Sequence, residues 1–106
     1  MRNLTLLTDL YQLTMLNGYF EKNIHEDVVV FDMFFRKNAC KSGYTIVCGI
    51  EQLVDYINNL QFSEEDLKYL KSLNLFSDKF LDFLRDFKFT GDIYSVEEGT
   101  IMFPNE

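Results

Sequence analysis

The sequence predicts an α+β domain with a largely antiparallel sheet, and three observations carry that expectation. Apolar residues recur at helical spacing in four stretches, and in four others they alternate or run together with β-branched and aromatic neighbours. Along the chain these fall in the order α, β, β, α, α, α, β, β, in which paired strands and runs of helices are segregated. The composition is that of a folded chain, with 47% hydrophobic residues, 25% charged residues and one proline in 106 positions.

The first helix is expected over residues 8 to 22. Thr8 is read as its N-cap, because a hydroxyl there accepts from a free first-turn amide, and Asp9 follows where the positive end of the helix favours a carboxylate. Leu10, Leu13, Met15, Leu16, Tyr19 and Phe20 recur at helical spacing and predict one broad buried face. Gly18 weakens the helix and Asn23 ends it. Tyr11 sits one turn in, beside the positive end, where neither capping nor the apolar face requires it. The connector that follows carries the single histidine, His25, read as a solvent-exposed loop residue without a fixed acid or nucleophile for catalysis.

Residues 28 to 36 are rich in β-branched and aromatic side chains and apolar on both faces, which predicts a central strand. Asp32 and Arg36 share one face of it. They read either as a strand-end charge pair reaching water or as a cleft in which the planar Arg36 guanidinium meets a phosphate. A turn over residues 38 to 43 returns the chain into a strand over 44 to 48, expected to complete a β-loop-β unit. Gly49 opens a helix over 50 to 60, with Leu53, Tyr56, Ile57 and Leu60 on one face.

Ser63 and Asp66 form a capping-box-like start to a helix reaching about Ser72. Ser77 or Asp78 starts the next, with Phe80, Leu81, Phe83, Leu84 and Phe87 facing inward. The acidic residues Glu64, Glu65, Asp66, Asp78 and Asp82 crowd helix N-termini, where the dipole already favours them, and they are assigned to capping and solvation instead of metal ligation. Gly91 turns the chain, residues 92 to 96 alternate as a strand, 97 to 99 make a tight turn and 100 to 103 form the last strand before Pro104.

Eleven Phe and six Tyr must supply much of the apolar area of so small a domain. With 17 acidic against 10 basic residues the net charge is -7, which argues against nucleic-acid binding, since phosphate neutralisation needs clustered Lys and Arg. Cys40 and Cys48 are spaced for neither a zinc pair nor a redox pair and are expected as free thiols, Cys48 as a small buried hydrophobe in its strand. The run from Met1 to Leu7 is broken by Thr5 and gives no targeting segment, and no stretch is long and apolar enough for a membrane span. A cytoplasmic protein is expected.

Four collinear stretches resemble the nicotinate phosphoribosyltransferases. Thr8-Asp9-Leu10-Tyr11-Gln12-Leu13-Thr14-Met15 is similar to that family's N-terminal signature. Phe31-Asp32-Met33-Phe34-Phe35-Arg36-Lys37 resembles its aromatic strand ending in arginine, and Gly43-Tyr44-Thr45-Ile46-Val47-Cys48-Gly49-Ile50-Glu51 resembles its Gly-Tyr and Gly-Leu-Glu segment. Phe87 to Tyr94, then Glu98-Gly99-Thr100 and Phe103-Pro104-Asn105-Glu106, resemble the close of its first domain. Ala39-Cys40 stands where the family commonly has proline and an aromatic.

The resemblance implies an N-terminal domain of the nicotinate/quinolinate phosphoribosyltransferase type over residues 1–106. Such a domain is α/β-hammerhead-like, with a mostly antiparallel sheet and helices, and here it is truncated before the catalytic barrel. It implies a part in joining nicotinate to phosphoribosyl pyrophosphate in NAD salvage, coupled to ATP and assisted by Mg2+, whose ligands lie elsewhere. Tyr11 would look over the pyridine ring, reaching the barrel of a second subunit in a head-to-tail homodimer. Asp9 would orient that helix start, and Arg36 would contact phosphate or carboxylate. With no Gly-rich phosphate loop and no basic cluster, the chain alone is expected not to turn over. The alternative is a non-enzymatic module derived from such an enzyme, binding a partner through exposed aromatic surface.

Overall fold

A computed structural model describes residues 2–106; Met1 lies outside the described residues. The chain falls into two compact units, Met1–Val28 with Asn58–Thr90, and Val29–Ile57 with Gly91–Glu106.

The first unit contains all the fully buried side chains found among the described residues. Helix α1 (Leu10–Glu21), α3 (Glu64–Ser72) and α4 (Asp78–Arg85) pack together, α4 against both of the others. Their core is Leu13, Leu67, Leu70, Phe80, Leu81 and Leu84, edged by Leu6, Phe20, Phe62, Leu73, Phe76 and Phe83. Phe80 is its centre, with ring centroids 5.7 Å from Phe20, 5.9 Å from Phe76 and 6.4 Å from Phe83. Those spacings are the ones at which aromatic pairs gain beyond area burial.

Both later helices begin as their sequences dictate. Ser63 Oγ accepts from the Asp66 N–H at 3.1 Å while Asp66 Oδ2 accepts from the Ser63 N–H at 2.8 Å, a reciprocal box that satisfies two otherwise free donors. Ser77 Oγ accepts from the Phe80 N–H at 3.2 Å. Of the acidic side chains around them, assigned from sequence to capping and solvation, Asp66 caps while three others form ion pairs: Arg85 reaches Glu64 at 2.8 Å and Asp82 at 2.6 Å, and Lys71 reaches Asp78 at 3.4 Å. Glu64 first, then Asp82, raise the Arg85 pKa well above its ordinary value and fix its charge.

Two expectations in this unit are corrected. The broad face of α1 is buried only at Leu13 and partly at Phe20; Leu10, Met15, Leu16 and Tyr19 stay exposed. Leu13 and Phe20 lie on the stripe that faces α4, and the other four are only half-covered. His25 is in the expected connector but is only 20% exposed at its side chain. Its ring lies 4.9 Å from Phe20 and 5.1 Å from Phe83, because the connector folds back over the edge of the aromatic core. Its Nδ1 is buried with no hydrogen-bond partner among the described residues.

The second unit is built around a two-residue ladder. Strand β1 (Thr45–Ile46) pairs antiparallel with β2 (Ile101–Met102), Thr45 opposite Met102 and Ile46 opposite Ile101. Val47 extends the pairing by donating to Thr100 at 2.9 Å and accepting from Gly99 at 2.8 Å. Gly99 holds φ at 84°, a left-handed turn conformation that suits glycine. Helix α2 (Ile50–Asn58) follows β1. Residues 39–41 form one 3-10 turn, with Cys40 and Lys41 at positive φ.

The sheet departs from expectation in three respects. Residues 28 to 36 form no strand, and β1 pairs with β2 instead of with them. Residues 92 to 96 form no strand either. A strand exists only where a neighbour offers a matching row of donors and acceptors; among the described residues, the backbone of 28–36 receives one such bond, from Asn105 N–H to the Phe35 carbonyl at 2.9 Å. Cys48 is exposed, not buried, since β1 ends before it and no layer covers it. Both cysteines are unlinked. The helices and the small antiparallel sheet make an α+β arrangement. No helix among the described residues is long and apolar enough to cross a membrane.

Candidate functional site

The start of α1 is shaped by three polar residues. Asp9, not Thr8, is the N-cap, with extended backbone angles of -80° and 145°. Gln12 decides this: its Oε1 accepts from the Asp9 N–H at 3.1 Å, and its own N–H donates to the Asp9 carbonyl at 3.1 Å. Thr8 Oγ1 donates to the same Gln12 oxygen. One glutamine three residues into the helix therefore moves the cap one position along, as a side chain reaching back to the cap N–H does in a capping box. Asp9 keeps its carboxylate exposed at the positive end of the helix, where a negative charge is favoured.

Tyr11 stands beside it, 61% exposed. Its carbonyl accepts from Thr14 Oγ1 at 3.1 Å, a contact of the backbone that leaves the ring free of the helix's own hydrogen bonding. An exposed phenol ring on the first turn of a helix, next to free amides and a carboxylate, presents a flat apolar face with a polar rim. This arrangement suits a planar aromatic ligand carrying a polar substituent.

The segment leading into α1 is anchored by residues that the sequence pattern did not single out. Thr5 is the one buried polar residue among the described residues, at 7% exposure. Its Oγ1 lies 2.7 Å from the Gln61 carbonyl it donates to, and Asn3 Nδ2 donates to Asp66 Oδ2 at 2.8 Å. The approach to Tyr11 is thus tied to the N-terminus of α3, within the same unit. The only advance signal was Thr5 itself, a polar residue interrupting an apolar run.

Arg36 belongs to the other unit. It is exposed at a bend that ends the extended segment, and it makes no ion pair among the described residues, Asp32 included. The expected charge pair is therefore not formed. The site residues accordingly come as one adjacent pair, Asp9 and Tyr11 on α1, and a separate guanidinium on the second unit.

A structural contact in that unit was also missed. The Glu98 carboxylate accepts from the Gly49 N–H at 2.7 Å and from the Ile50 N–H at 2.9 Å, capping α2 from 48 residues away. The signal was a helix opening on Gly49 without Ser, Thr, Asp or Asn, whose free amides require an acceptor from elsewhere. Among the described residues no three His, Cys, Asp or Glu side chains gather closely enough to hold a metal ion.

Comparison with known proteins adds the following. The family model described as nicotinate phosphoribosyltransferase (NAPRTase) N-terminal domain matches residues 6–106. A nicotinate phosphoribosyltransferase of Mycobacterium tuberculosis is 41% identical over 101 residues, 95% of this chain and 22% of that protein. The nicotinate phosphoribosyltransferase of Bacillus subtilis is 38% identical over 104 residues, covering 98% of this chain and 21% of that protein. One from Caenorhabditis elegans is 34% identical over 102 residues, 93% and 18% respectively. The chain spans about a fifth of the length of these relatives.

Proposed function

Since the chain belongs to the nicotinate phosphoribosyltransferase N-terminal domain family, we propose that it is the N-terminal part of such an enzyme and supplies one wall of its nicotinate site, in NAD salvage. The observation that carries this reading is the exposed Tyr11 ring on the first turn of α1. In the reaction the pyridine nitrogen of nicotinate bonds to the anomeric carbon of phosphoribosyl pyrophosphate. The bond from that carbon to the pyrophosphate oxygen breaks, and pyrophosphate leaves with the electron pair. The transition state carries oxocarbenium character, so the base must be held flat and aimed before charge develops.

Tyr11 performs the first task by stacking on the pyridine ring. Asp9 orients the helix start through its backbone contacts with Gln12, and Arg36 gives a planar pair of donors to a phosphate or to the nicotinate carboxylate. Clamping of the departing pyrophosphate is left to the rest of the longer enzyme. Mg2+ and ATP, which the family likeness implies, are held by that remainder too. The chain is a hammerhead-like domain ahead of a catalytic barrel. The complete enzyme is a cytoplasmic homodimer in which Tyr11 enters the other subunit's barrel, and the isolated chain does not turn over.

The test places this chain in the corresponding segment of the Bacillus subtilis relative and compares Tyr11→Ala with Tyr11→Phe. Loss of ring stacking is worth about 1 kcal/mol, so Tyr11→Ala should raise the KM for nicotinate about fivefold with the melting curve unchanged, and Tyr11→Phe should retain most of the affinity. An unchanged KM in Tyr11→Ala would return Tyr11 to a purely structural role.

A further inference from the structure

Residues 29–35, in the second unit, combine three properties that do not coexist in a finished fold. They alternate as a strand with apolar side chains on both faces, Val29, Phe31, Met33 and Phe35 on one and Val30 and Phe34 on the other, interrupted only by Asp32. The middle of the run is nearly bare, with Val30, Phe31 and Met33 at 89%, 88% and 92% exposure, while Phe34 is half-exposed and Phe35 partly buried. Their backbone receives one ladder-type bond among the described residues, from Asn105 at the Phe35 end. The second unit has no buried side chain among its described residues. A run apolar on both faces is the signature of a strand covered by a layer on each side, whereas an exposed apolar edge invites pairing.

We infer that residues 29–35 are a docking strand whose hydrogen-bonding neighbour and covering layers are supplied by the remaining four-fifths of the polypeptide that the longer relatives carry. The occupant follows from what the strand lacks. A second copy pairing strand to strand supplies one edge and leaves both apolar faces in water, and an isolated two-stranded ribbon is marginal. Two covered faces and a ladder neighbour require a much larger body, and the relatives contain about five times the length of this chain. Asn105 to Phe35 is the bond already formed, and strand addition continues on the same edge through Met33, Phe31 and Val29. This inference rests on the reading of the chain as part of a longer enzyme, and it adds which segment makes the junction and by what bonding.

Hydrogen exchange read by mass spectrometry tests it on the 106-residue chain and on the chimera with the Bacillus subtilis relative. Amides of residues 29–35 should exchange freely in the chain alone and at least ~100-fold more slowly in the chimera. Phe31→Pro, which removes a ladder donor on the edge that Phe35 already uses, should abolish that protection, and Phe31→Val, which keeps strand geometry, should not. Equal exchange in both proteins overturns the inference, and so does a free chain that sediments as a dimer with these amides protected. Should the chimera fail to fold, the intact Bacillus subtilis enzyme decides, since rapid exchange of its aligned segment also overturns it. Product formation by the chimera is assayed separately. A protected but inactive chimera upholds the strand and refutes the functional reading, and an active chimera with unprotected amides does the reverse.

Discussion

Replacing Glu98 by alanine should unwind the first turn of α2 without touching the helical core of the other unit. The carboxylate accepts from the Gly49 and Ile50 amides at 2.7 and 2.9 Å, and it is the only side chain among the described residues that caps this helix start. A lost cap costs about 1 kcal/mol, and removing a negative charge from the positive end of the helix adds about 0.5 kcal/mol at an exposed site. The sum, roughly 1.5 kcal/mol, corresponds to about a tenfold change in an opening equilibrium. Hydrogen exchange of the amides in the first turns of α2 should therefore accelerate about tenfold in Glu98→Ala. Those of α3 and α4, which close on Leu70, Phe80 and Leu84, should not change. Glu98→Gln, which keeps an acceptor but not the charge, should fall between. Unchanged exchange in α2 of Glu98→Ala would refute the assignment of Glu98 as its cap.

Three further outcomes are expected of the helical unit. Phe80→Ala removes the most enclosed ring, 1% exposed, and should cost about 3–5 kcal/mol, enough to shift the urea midpoint to the edge of unfolding in a small domain. Ser63→Ala loses the acceptor for the Asp66 amide and should cost about 1 kcal/mol in the same titration. His25→Phe replaces a ring packed between Phe20 and Phe83 whose buried Nδ1 has no partner; stability should hold or rise by up to about 1 kcal/mol, and a loss of that size would mean that Nδ1 is satisfied.

The parts of the fold written locally were legible in the sequence. Ser63 with Asp66, and Ser77, set helix starts within three residues of themselves, and the spacing of Phe80, Leu81 and Leu84 set the buried face of α4. Where the outcome depended on a distant partner, the pattern was insufficient. Residues 28 to 36 have strand composition, but a ladder needs a neighbour, and β1 found its own in β2, more than fifty residues away. His25 reads as an exposed loop residue until the connector folds it onto Phe83. Glu98 caps a helix that its own neighbourhood says nothing about. At the candidate site, the helix start carrying Asp9 and Tyr11 was legible from residues 8–15 alone. The exact cap was not, because it turns on the long reach of Gln12 back to Asp9.

The most direct test of the account is the formation of nicotinate mononucleotide from nicotinate, phosphoribosyl pyrophosphate and ATP. It is followed in parallel with the 106-residue chain alone and with the chimera in which this chain replaces the corresponding segment of the Bacillus subtilis relative. Product from the chimera and none from the chain alone is the predicted result. Product from the isolated chain, or a folded chimera that binds nicotinate no better than the chain alone and forms no product, would contradict the claim that these residues complete a nicotinate site.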